Sequence, residues 1–125
     1  MISFGPDRLG HCCFLTTDQI DRVVELGIPV EICPTSNLAV VKEARNLVMF
    51  LPHLKRFHEL AHNITICTDD TMLFSTNIST ELFEYCKAFD VTSERLKEIM
   101  LKSVDAIFDS KCKEWLRGKI QAYRP

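Results

Sequence analysis

Three short β-prone runs, separated by apolar residues at helical spacing, constrain this chain more than any other feature. The best is Ile64-Thr65-Ile66-Cys67-Thr68. Its alternation puts Ile64 and Ile66 on one face and Thr65, Cys67 and Asp69 on the other. A second run, Val30-Glu31-Ile32-Cys33, lies between Pro29 and Pro34. The same alternation groups Glu31 with Cys33, and Val30 with Ile32. The first run is shorter, through Asp7-Arg8-Leu9-Gly10-His11 and on into Cys12, Cys13, Phe14 and Leu15.

The intervening stretches read as helices. Thr16 or Thr17 caps the first, with Asp18 in its opening turn and Ile20, Val23 and Val24 on one stripe. Gly27 supplies a left-handed end and Pro29 prevents continuation. Pro34 stops the second strand, and Thr35, Ser36 and Asn37 follow as polar residues at its end. Leu38 to His62 reads as helical, in two segments broken at Pro52. The first carries Val40, Val41, Ala44, Leu47 and Val48; the second carries Leu54, Phe57, Leu60 and Ala61. A helix is expected near Ser79–Phe89. Another, capped by Thr92 or Ser93, has Leu96, Ile99, Met100, Val104 and Ile107 on its stripe, and a last piece holds Trp115, Leu116 and Ile120. Strand alternating with helix predicts parallel βαβ units. In such folds chemistry collects at the carboxyl ends of the strands. Those ends carry His11, then Thr35-Ser36-Asn37, then Asp69-Asp70, so the three groups are expected to share one rim.

With 125 residues there is room for one domain at most, or part of one. The apolar fraction of 46% and charged fraction of 26% are those of a soluble globular chain. A net charge of −2 gives no general attraction to nucleic acid or anionic membrane, so neither is expected as a partner. Basic residues thicken near the C-terminus, but Asp109 and Glu114 are interleaved with them, as on a solvated helix face. No apolar run approaches the ~20 residues that span a bilayer. The start, MISFGPDRLGH, has no basic segment followed by an apolar stretch, so no signal peptide is expected. The sequons at Asn63 and Asn77 then read as chance matches. Six cysteines without a C-x-x-C pair or zinc-finger spacing fit a reduced, cytoplasmic protein.

Asp69 and Asp70 are adjacent like charges at a strand end, and something must offset them. A metal ion held by a carboxylate beside an imidazole would do so. Alternatively, Asp70 caps the following turn and Asp69 pairs with a lysine. His11, after Gly10, reads either as a structural hydrogen-bonder or as a catalytic group. His58 and His62 are four apart in a helical stretch, a spacing that can make a surface metal site. With no strand-end partner for them or for His53, a solvent-exposed face is expected.

Asp-Arg-Leu-Gly-His at 7–11, Val-Glu-Ile-Cys-Pro-Thr-Ser-Asn at 30–37 and Ile-Cys-Thr-Asp-Asp at 66–70 occur in order over nearly the whole chain. Together they resemble the C-terminal part of the adenosine deaminase family. The Thr-Ser-Asn and Ile-Cys-Thr-Asp-Asp wording, with Pro52-His53-Leu54 between, is most similar to the adenosine deaminase-like branch that removes methylamine from N6-methyl-AMP.

The resemblance implies a (β/α)8 TIM barrel with one zinc ion, in which an oxygen nucleophile displaces an amine from C6 of a purine nucleoside or nucleotide. By motif, Asp69 is similar to the zinc-ligating aspartate, which also faces the substrate. Asp70 resembles the neighbour that hydrogen-bonds the purine at N7, and His11 the catalytic histidine that orients the nucleophile. Thr65 and Cys67 would face the barrel interior. The family's His-x-His and His-x-x-Glu segments are absent and would precede Met1. Cys12 stands where a glycine usually follows the rim histidine. Residues 1–125 are therefore expected to form part of one adenosine deaminase-like metal-dependent hydrolase domain: about three of eight parallel strands, with their helices and further C-terminal helices.

One aspartate cannot hold a catalytic zinc, which takes about three or more protein ligands. The expected function is that of a purine deaminase fragment, inactive as an isolated chain. A truncated isoform or pseudoenzyme acting as an interaction module is the alternative, and an unrelated three-stranded binding module a third.

Overall fold

The computed structural model describes residues 2–40 and 52–124. A single 3-10 turn, Ile2–Phe4, leads into strand β1 (Leu9–Gly10), helix α1 (Thr17–Glu25) and strand β2 (Val30–Ile32). Helix α2 (Pro34–Val40), helix α3 (Pro52–Glu59) and strand β3 (Ile64–Ile66) follow. The chain then turns to helices α4 (Ile78–Phe89), α5 (Ser93–Ser103) and α6 (Ser110–Ala122), with a 3-10 turn at Val104–Ala106 between the last two. Val41, Ala44, Leu47 and Val48, placed on a helical stripe by the sequence, lie outside the described residues.

The sheet is parallel in the order β1-β2-β3, as alternation of strand and helix requires. Leu9 pairs with Val30, Val30 with Ile64, and Ile32 with Ile66. Val30, Ile32, Ile64 and Ile66 are all buried in the core, so the alternation expected for β2 and β3 gives the sheet one covered face. The opposite face carries Glu31, whose carboxylate meets Arg8 at 3.1 Å. An acid on a sheet needs such a partner, and the same guanidinium also lies 4.1 Å above the Phe108 ring.

Local signals set the helix ends. Thr16 caps α1 in a complete capping box with Gln19, and Gly27 takes φ +65° after it. Thr92 caps α5 by accepting from the Arg95 amide, and Asp109 caps α6. Strand β2 ends before Pro34, as expected, and the proline does more than stop it. It opens α2, because proline in the first turn loses only an N–H that would be unpaired anyway. Thr35, Ser36 and Asn37 thus follow the strand end as the first turn of a helix.

The expectation of a solvent-exposed histidine face is overturned. His53 is buried beside Leu54 and Phe57. His58 stacks on Phe89 at 4.5 Å and shares a 2.6 Å hydrogen bond with the Tyr85 hydroxyl. His62 bonds the Ile28 carbonyl at 2.7 Å. These two four-spaced imidazoles serve packing instead of a metal.

Burial pushes the His53 pKa down to about 4 and lowers those of His58 and His62 as well. A histidine depressed in the folded state stabilises it fully above the unfolded value of about 6.5. That contribution is lost as pH falls toward the folded value. His53 alone is then worth about 3 kcal/mol between pH 7 and pH 4. Urea unfolding across that range should show the loss, and His53→Gln should flatten the slope. An unchanged slope in the variant would remove His53 from the account.

Candidate active site

Each strand ends by delivering a polar side chain to the same edge of the sheet. The His11 amide still donates to the Glu31 carbonyl at 2.8 Å, continuing the ladder one residue past β1. His11 and Cys12 then both adopt φ +59°, which turns the chain sharply off the sheet. After β2, helix α2 starts at once and presents Ser36 and Asn37 from its first turn. After β3, the Cys67 amide donates to the Ile32 carbonyl at 2.8 Å, and Asp69 takes φ +58°. The strand alternation therefore does not carry Asp69 to the rim; a left-handed turn does. Non-glycine residues in this region cost on the order of 1–3 kcal/mol each, and such residues concentrate at functional sites.

These turns bring His11 and Asp69 together. His11 Nε2 lies 3.9 Å from Asp69 Oδ2, too far for a direct hydrogen bond. The same oxygen accepts from the Ser36 hydroxyl at 2.6 Å, which fixes the carboxylate. Asn37 is 1% exposed. Its Oδ1 accepts from the Cys33 amide at 2.9 Å, and its Nδ2 lies 3.2 Å from His11 Nδ1. His11, Ser36, Asn37 and Asp69 line a cleft of about 690 Å³, with Phe14 and Phe74 as apolar walls. That volume and mixed lining suit a small organic ligand.

Asp70 is placed differently. Its Oδ1 accepts from the Met72 and Leu73 amides at 3.0 and 2.7 Å, so it caps the turn after the strand. Asp69 has no lysine partner among the described ion pairs.

Glu81 of α4 holds the edge together from beneath. It is fully buried. Its Oε2 accepts from the Thr35 amide at 3.0 Å, and its Oε1 accepts from the Thr35 and Thr76 hydroxyls. One carboxylate thus joins the start of α2 to the loop that follows Asp69 and Asp70.

The family resemblance implies a metal, and the donors present can be tested against it. Among the described residues His11, Cys33 and Asp69 form one cluster, with ligand atoms all within 4.8 Å of one another. Cys33 is a poor member. Its hydrogen bond with Cys67 and its burial raise the thiol pKa, so the protonated form is held. Asp69 and His11 are too few to make a catalytic site alone. The chain's own residues fit one side of a metal centre and do not complete it.

The sequence located the rim and its three polar groups. It did not show that Asn37 is buried against His11, that Ser36 holds Asp69, or that Cys33 lies beside them. Thr-Ser-Asn after a strand was the available signal for the first two; Cys33 looked like an ordinary small apolar residue. Glu81 had no local signal, its partner Thr35 being 46 positions away.

The adenosine deaminase family model matches residues 1–123. The chain is 33% identical over 110 residues to an adenosine deaminase-like protein of Drosophila pseudoobscura pseudoobscura, covering 88% of this chain and 32% of the relative. It is 30% identical over 118 residues to the N6-mAMP deaminase of Arabidopsis thaliana, covering 94% and 32%. A crystal structure of Arabidopsis ADAL complexed with IMP superposes with a TM-score of 0.88 at 28% identity, over 98% of this chain and 35% of the other. The chain spans about a third of the length of the relatives it matches. Its three parallel strands and their helices correspond to part of a (β/α)8 barrel, as the sequence motifs implied. The chain belongs to the adenosine deaminase family.

Proposed function

We propose that these residues form one side of the active centre of a cytoplasmic purine nucleotide deaminase, which converts N6-methyl-AMP and water to IMP and methylamine. The observation that carries this reading is the meeting of His11 and Asp69 over a cleft at the strand ends, in a chain of this family. The complex of a relative with IMP supports a nucleotide ligand, and six free thiols suit a reducing compartment. Residues 1–125 would be part of a single metal-dependent hydrolase domain.

The reaction joins a water oxygen to C6 and releases the amine. His11 Nε2 faces the gap above Asp69 and holds the oxygen in line. Asp69, steadied by Ser36, would be the residue here that holds zinc, and the ion would supply charge stabilisation. The other zinc ligands would have to come from outside these residues. Asp70 contacts the purine at N7 while its Oδ1 keeps the turn closed. The test is conversion of N6-methyl-AMP by the full-length, zinc-loaded protein, read as IMP and methylamine by mass spectrometry. No conversion, with adenosine or AMP consumed instead, would move the substrate assignment; no turnover of any purine would overturn the reading.

The incomplete donor set favours a second statement about the chain in isolation. Purified and supplied with zinc, residues 1–125 are expected to release neither methylamine nor ammonia from N6-methyl-AMP, AMP or adenosine. Turnover that a chelator and Asp69→Ala both abolish would show that the chain is sufficient, and would remove the non-catalytic alternative of an interaction module.

A further inference from the structure

We infer that Asn37 is a positioning residue that fixes which nitrogen of His11 carries the proton. The inference rests on the proposed site but not on its metal or its substrate. Its starting point is a group with no choice of role. The Cys33 backbone N–H can only donate, and it lies 2.9 Å from the buried side-chain carbonyl of Asn37. That contact determines which end of the amide is oxygen. The other end must be the NH2 group, which has hydrogens and no acceptor capacity.

Nδ1 of His11 lies 3.2 Å from that NH2 group. Two donors facing each other make no bond, so Nδ1 accepts. A neutral imidazole with an accepting Nδ1 carries its proton on Nε2. The order of determination is therefore the Cys33 amide, then the Asn37 rotamer, then the His11 tautomer. Asn37 is able to impose it because it is itself held in the first turn of α2 at 1% exposure, with its own amide bonded to the Cys33 carbonyl at 2.8 Å.

The consequence is chemical. Nε2 is the nitrogen that looks toward Asp69, 3.9 Å from its Oδ2. With the proton there, His11 presents an N–H to whatever occupies the gap and has no lone pair to offer a metal. Metal-binding histidines show the reverse arrangement, donating their second N–H to a carbonyl or carboxylate. His11 is thus a hydrogen-bond donor to an oxygen and not a ligand, although a ring nitrogen lies within 4.8 Å of the Cys33 and Asp69 donor atoms.

Nuclear magnetic resonance on the 125-residue chain tests this without metal, substrate or activity, so its failure would leave the deaminase reading standing. In uniformly 15N-labelled protein, the His11 ring should show a pyridine-like Nδ1 and a protonated Nε2. A coupling across the hydrogen bond should link Nδ1 to the Asn37 side-chain nitrogen. Asn37→Asp keeps the oxygen that accepts from Cys33 and replaces the NH2 group by an acceptor. It should reverse the ring pattern, with the proton moving to Nδ1, and abolish the coupling. A protonated Nδ1 in the unsubstituted chain, or no coupling between the two residues, would overturn the inference even if the variant failed to fold. So would an unchanged ring pattern in a folded variant.

Discussion

Replacing Asp69 by alanine in the full-length protein is expected to cost both bound metal and activity, with kcat/KM falling about 10³-fold. The magnitude follows from the several kcal/mol that a metal contributes to transition-state charge, at 1.36 kcal/mol per tenfold. Asp70→Asn should behave differently. Asparagine keeps the Oδ1 that accepts from the Met72 and Leu73 amides, so the turn should survive. It removes the charge that the proposed purine contact would use, so metal content should be retained while the rate drops about 10²-fold. Ser36→Ala lies between the two. It removes the 2.6 Å bond that orients Asp69, and loss of such a support typically weakens metal binding about 10–100-fold. Metal analysis beside kinetics on the three variants separates the roles. Equal metal loss in the Asp69 and Asp70 variants would show that the division between them is wrong.

The second large effect concerns stability. Glu81→Ala should destabilise the fold by about 3–4 kcal/mol. It strands the partly buried Thr35 amide and two hydroxyls, each unmet buried donor costing about 1–3 kcal/mol, and it leaves a cavity. The hydroxyls can rotate toward other acceptors, but the amide cannot, which sets the floor of the effect. Glu81→Gln preserves volume and one acceptor oxygen, so its cost should be nearer 1–2 kcal/mol. Urea midpoints at constant slope measure both. A midpoint for Glu81→Ala equal to that of the parent chain would mean that the carboxylate does not join α2 to the loop after Asp70. Because Thr35 precedes Ser36 in α2, a loosened Glu81 contact should also be felt at Asp69.

What the sequence disclosed and what it hid divide along a physical line. Features set by neighbours in the chain were legible: the Thr16 and Thr92 caps, the left-handed Gly27, and the alternation of β2 and β3. Features set by distant partners were not. His58 is half-buried because Tyr85 and Phe89, on another helix, pack against it. His53 is a partial exception, since it stands four residues before Phe57 on the same helical face, and that spacing could have marked it as buried. Pro34 was legible as the stop of β2 but not as the start of α2, because proline ends a strand and begins a helix equally well. At the site, the residue types and their order were visible. The left-handed turns at His11 and Asp69 were not, since neither residue announces a positive φ as glycine would.

Those turns have a consequence for how the site persists over generations. The edge of the sheet adopts its shape against the preference of its own backbone at His11, Cys12 and Asp69. Glycine would sit there more comfortably, most of all in place of Cys12, whose side chain tolerates the conformation least. Substitutions that relax the edge are thus open to a lineage in which only folding matters, and the His11–Asp69 geometry would be among the first features worn away by drift. A lineage that keeps both residues in these turns is therefore one in which something other than folding is being selected.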